Sequence, residues 1–112
     1  MAKRNGSAKR YIVITLRAFV DEGFFVSECV ELGIASQGDD LEDALDMALD
    51  ATEVYLRGLA ELGELDAVLL RKNVKIHTTR PRSVSLRGQV RPGDLIKPLV
   101  MSIAPSGVSV AA

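Results

Sequence analysis

Gly38-Asp39-Asp40-Leu41-Glu42-Asp43-Ala44-Leu45 decides how this chain is read. Gly38 ends whatever precedes it. Asp39 or Asp40 can then serve as a helix N-cap, since a short acidic side chain accepts hydrogen bonds from the orphan N–H groups of a first turn. Its charge also suits the positive end of the helix. From here the apolar positions recur every three or four residues: Leu41, Ala44, Leu45, Ala48, Leu49, Thr52, Leu56 and Leu59. That spacing predicts an amphipathic helix over about Leu41–Leu62 with one buried stripe. Gly58 weakens it, and Gly63 is a natural C-cap.

Upstream the period changes from helical to alternating. Tyr11–Val20 is rich in β-branched and aromatic residues and reads as a strand, with Ile12, Ile14, Leu16 and Ala18 on its core face. Asp21-Glu22-Gly23 is a turn, with Gly23 free to take positive φ. Phe24–Val30 returns as the second strand of a hairpin. Glu31-Leu32-Gly33 breaks it, and Ile34–Gln37 is a short third strand.

Downstream, Glu64–Lys72 reads as a second, short helix that Asn73 can end. Val74-Lys75-Ile76-His77-Thr78 alternates and is expected to return to the sheet as a fourth strand. From Thr79 the pattern loosens. Ser83–Val90 and Leu95–Ile103 are strand candidates separated by a turn at Arg91-Pro92-Gly93-Asp94. The expected organisation is a basic leader (1–10), an α+β domain (11–78) and a strand-rich extension or arm (79–112). The leader is read as disordered or as an expression remnant, because it lacks the apolar segment of a signal peptide.

The 112 residues suffice for one domain with a real core. No apolar run approaches the ~20 residues of a membrane span, and Cys29, the single cysteine, leaves no intramolecular disulfide. Both point to a cytoplasmic protein. A net charge of −1 hides a segregation. Met1–Arg17 carries only bases, +5. Ala18–Asp66 carries fourteen acids and one base, Arg57. Ala67–Ala112 carries eight bases and one acid, Asp94. A middle this acidic repels nucleic acid and favours basic partners, whether the chain's own ends or another protein.

Several pieces, in order and at this spacing, resemble a known family: Tyr11-Ile12-Val13-Ile14, Gly23-Phe24-Phe25-Val26, Leu32-Gly33-Ile34-Ala35-Ser36-Gln37-Gly38-Asp39, Leu41-Glu42-Asp43-Ala44-Leu45 and Tyr55-Leu56. From roughly Tyr11 to Thr78 the chain resembles the N-terminal domain of HicB-type antitoxins. The resemblance implies an α+β fold of the order β-β-β-α-(α)-β, described as partial RNase H-like and lacking that nuclease's catalytic carboxylates. It implies a protein that binds and blocks a small basic RNA-cleaving toxin of the HicA type, by steric masking and charge complementarity. Two departures stand out. The family often shows a proline near Glu31-Leu32-Gly33, and none is here. The tail after Thr79 is too short and too Pro/Gly-broken for a helix-turn-helix, which argues against DNA repression. The resemblance also extends to solitary proteins of unknown role, so a homo-oligomer without a toxin partner is the alternative.

The residues singled out for partner binding are Asp39, Asp43, Asp46, Asp50 and Glu53, which recur at spacings of 4, 3, 4 and 3. The plain reading is a solvated helix face; the functional one is an electrostatic dock for a basic partner. A carboxylate row on one helix is a poor metal cage, since hard cations need ligands converging from several elements. Glu28 and Glu31 are the only strand-side acids that an RNase H-type site could use, and both read more simply as exposed strand or loop residues. Ser27, Ser36, Cys29 and His77 lack the flanking sequence of a nucleophile or dyad. No enzyme activity, cofactor or metal is expected. The basic tail residues Arg71, Lys72, Lys75, Arg80, Arg82, Arg87 and Arg91 read as complementary to the acidic helix, as a homo-oligomer edge, or as contacts to nucleic-acid phosphates.

Overall fold

Alternation in Arg10–Asp21 builds the central strand. A computed structural model describes residues 9–84, 90–104 and 107–111. In it β1 (Arg10–Asp21) turns Ile12, Ile14, Leu16 and Ala18 fully into the core. β2 (Phe24–Cys29) folds back on β1 with Asp21 opposite Phe24, leaving Glu22 and Gly23 as a two-residue turn. Both take positive φ, 51° and 83°, which matches the twist of a tight hairpin. β3 (Ile34–Gly38) pairs antiparallel with β2.

The chain then enters α1 (Leu41–Glu61). Asp40 is the N-cap: its carboxylate accepts the Asp43 N–H at 2.7 Å. The Asp43 carboxylate reaches back to accept the Asp39 N–H at 2.8 Å. This reciprocal pair satisfies two backbone donors and fixes where the helix begins. The far end closes with Gly63 at φ 71°, its N–H bonded to the Ala60 carbonyl and that of Glu64 to Leu59. α2 (Leu65–Arg71) ends the same way, with Asn73 at φ 58° and the Val74 N–H on the Leu69 carbonyl. Both are Schellman closures, the second using asparagine's tolerance of left-handed backbone.

β4 (Leu95–Ala104) lies antiparallel against β1 from Arg10 to Ala18, and β5 (Gly107–Val110) pairs with β4. The result is one antiparallel sheet in the order β3-β2-β1-β4-β5. The core lies between one sheet face and the helices. Ile12, Ile14 and Leu16 meet Ala48 and Leu56 of α1, Leu65 and Leu69 of α2, and Met101 and Ile103 of β4.

The α+β class is present, but the expected fourth strand is not. Val74–Thr78 contributes a single bridge: the Tyr11 N–H to the His77 carbonyl at 2.8 Å, and the His77 N–H to the Tyr11 carbonyl at 2.7 Å. Competition for β1 explains this. β4 takes one edge over nine residues, and β2 takes the other from Leu16 onward. On that second edge Thr15 is already engaged by Glu31 and Val30, leaving Val74–Thr78 only the end of the strand. The tail supplies β4 and β5 instead. The turn before β4 forms as expected, with Gly93 at φ 91° and the Asp94 N–H on the Arg91 carbonyl. The expected strand Ser83–Val90 falls mostly outside the described residues; Ser83, Val84 and Val90 are not in a strand.

Candidate protein-binding face on helix α1

The amphipathic period of α1 places Ala44, Ala48, Thr52 and Leu56 against the sheet. The same period brings Asp43, Asp46, Asp50 and Glu53 to the side turned away from it. Asp46 and Asp50 are exposed, and Glu53 is half-buried. Met47 and Val54, 44% and 53% exposed, lie seven residues apart alongside this row. The outer face is therefore an acidic row with an apolar border.

The five predicted residues are not equivalent. Asp43 is held by the cap described above, and Asp39 gives its N–H to Asp43. Both belong first to the helix start. Asp46, Asp50 and Glu53 make no hydrogen bond or ion pair among the described residues.

Among the described residues, no ion pair joins the acidic helix to the basic tail. The ion pairs among the described residues are Arg10–Asp66, Arg17–Glu28, Arg17–Asp94 and Arg91–Asp94. None reaches the row on α1. Lys72 donates to the Leu32 carbonyl at 3.3 Å, and Arg71, Lys75, Arg80 and Arg82 are exposed. Arg87 lies outside the described residues. Nor does Leu95–Ile103 offer an open edge, because β4 has β1 on one side and β5 on the other. Among the described residues the open edges belong to β3 and β5.

The sheet face away from the helices carries an ion cluster that spacing alone did not reveal. Arg17 donates from Nε to Asp94 at 3.0 Å and from Nη1 to Glu28 at 3.1 Å, and its guanidinium lies 4.2 Å above the Phe19 ring. Burial alone would raise the Asp94 pKa, but Arg17 and the Arg91 N–H outweigh it, so the carboxyl sits below its ordinary value. This cluster ties the 91–94 turn to β1 over 77 residues of sequence.

The other residues considered for chemistry have structural roles. Glu31 is half-buried: its two carboxylate oxygens accept the Thr15 N–H at 2.6 Å and the Thr15 hydroxyl at 2.9 Å. It is neither an exposed loop residue nor a free ligand. Glu28 pairs with Arg17. Cys29 is fully buried, and burial pushes its thiol pKa up to about 11, the reverse of what a nucleophile needs. His77 bridges through its backbone. Among the described residues no three His, Cys, Asp or Glu side chains converge as a metal site, and no helix is long and apolar enough to cross a membrane.

Comparison with known proteins returned no matching family, no matching curated protein and no matching solved structure.

Proposed function

We propose that this protein is a binding module that takes a small basic protein on the outer face of α1. The observation that carries this reading is that Asp46, Asp50 and Glu53 have no partner among the described residues and lie beside exposed Met47 and Val54. No base among the described residues pairs with the row, so its field is available to steer a cationic partner. Met47 and Val54 give such a partner apolar area to bury once it arrives. The mechanism is masking, with no chemistry by this chain.

The resemblance to HicB-type antitoxins gives the partner a specific form, an RNA-cleaving toxin of the HicA type, and the sheet a specific relation, a partial RNase H-like fold. Both are parts of the proposal. The test is purification of a tagged chain from its native extract at low salt, followed by a rising salt gradient. A small basic protein released at intermediate salt supports the reading. A second reading, a self-assembling protein without a toxin, is favoured by the edge strands β3 and β5, which carry no charged residue to deter pairing. Light scattering on the purified chain distinguishes it by mass.

A further inference from the structure

Between Asp66 and Asp94 the chain holds seven bases and no acid. Of these, Lys75, Arg80 and Arg82 are exposed, and no carboxylate pairs with them among the described residues. The strand phase fixes the side of the molecule they occupy. Ile12 and Ile14 face the helices, so Tyr11 and Val13 face away from them. Two hydrogen bonds, of 2.8 and 2.7 Å, close the Tyr11–His77 bridge. Residues paired in this way carry their side chains on one face, with Cα atoms about 5.5 Å apart. His77 therefore stands beside Tyr11 on the sheet face opposite the helices.

The bases gather around this pair. Val74 is buried and Ile76 packs against the core, which turns Lys75 outward with His77. Pro81 and Val84 border a cavity with Val13, so the next segment also runs on this side. Arg80 donates to the Ala111 carbonyl at 3.4 Å. Ala111 bonds to Val100, which is opposite Val13, so that guanidinium ends two strands from β1, about 10 Å away. The acids on this face are already engaged, Glu31 by Thr15 and Glu28 and Asp94 by Arg17. The acidic row of α1 lies on the other side of the molecule, with the helix and the sheet between. Residues 67–112 contain no aromatic side chain. The bridge supplies one from β1.

We propose that this part of the sheet face binds single-stranded nucleic acid without regard to sequence. Lys75, Arg80 and Arg82 contact the phosphates, and Tyr11 and His77 stack on bases. Cations that follow the backbone, together with rings that meet unpaired bases, are the two elements such binding needs. A duplex keeps its bases stacked on each other and offers the rings nothing. The site is separate from the acidic row and does not depend on the partner proposed for it.

The test is fluorescence anisotropy of a labelled oligouridylate, about ten nucleotides long, titrated with the full chain at several salt concentrations. Saturable binding should weaken with salt, with a slope of log K on log salt of about −2 for three phosphate contacts. The Lys75→Gln, Arg80→Gln, Arg82→Gln triple variant changes only exposed side chains and should abolish binding. Tyr11→Leu should weaken it about fivefold or more and leave the salt slope unchanged. His77→Leu repeats that test at a position whose bridge is made by backbone atoms, and circular dichroism verifies that each variant is folded. No binding at low salt, undiminished binding by the triple variant, parent-like binding by both ring variants, or equal binding of a duplex of the same length overturns the proposal.

Discussion

Glu31 completes the edge of β1 at Thr15. β2 ends at Cys29, and beyond it the Glu31 side chain supplies acceptors that a strand would otherwise provide, to both the N–H and the hydroxyl of Thr15. Thr15 is fully buried, so these donors have no recourse to water. Glu31→Ala should destabilise the fold by roughly 2–4 kcal/mol, from two stranded donors at about 1–3 kcal/mol each with partial relaxation. Urea unfolding measures this, and a change below 0.5 kcal/mol, about the size of an ordinary surface substitution, would refute the role.

Gly38 is required for close approach, because a Cβ there would lie 2.5 Å from the Ala44 backbone nitrogen and 2.7 Å from the Asp43 carboxylate. Backbone cannot step aside as a flexible side chain can. Gly38→Ala should cost about 1–3 kcal/mol and disturb the Asp40–Asp43 cap, visible as loss of helical circular dichroism before global melting.

The Arg17–Asp94 pair sets a pH dependence. Asp94 has a folded pKa below its ordinary value, so its contribution to stability is present above pH ~4 and fades as pH falls through the folded pKa. Asp94→Asn should lower the melting temperature at pH 7, with the gap to the parent protein narrowing below pH 4. A gap constant from pH 7 to pH 3 would contradict the pairing.

Ser27 lies buried on the core side of β2, its hydroxyl without a partner among the described residues. Ser27→Ala removes that uncompensated group and should stabilise by about 1 kcal/mol, read from the urea midpoint. Cys29, also fully buried with its pKa raised to about 11, should resist a thiol reagent at pH 8 until the chain unfolds.

Local signals carried much of the fold. The alternation from Ile12 to Ala18, the Asp40 cap, the stripe on α1 and the glycine at position 63 each specify geometry within a few residues, and each is found. What was not legible is competition. Val74–Thr78 alternates as well as a strand should, yet it loses β1 to β4 and to Glu31, both distant in sequence. Arg17–Asp94 was equally hidden, since only the sheet brings residues 77 positions apart together. Within the site, spacing placed the acids on the outer face of α1, but only the hydrogen bonds separate Asp39 and Asp43, engaged at the cap, from Asp46, Asp50 and Glu53.

That separation defines the decisive measurement. Affinity capture from native extract would compare the parent chain with the Asp46→Asn, Asp50→Asn, Glu53→Gln triple variant, which spares the cap. The account predicts that the parent retains a small basic protein, eluted by salt, and that the variant, equally folded, does not. Equal retention by both, or retention of no basic protein by either, would contradict it.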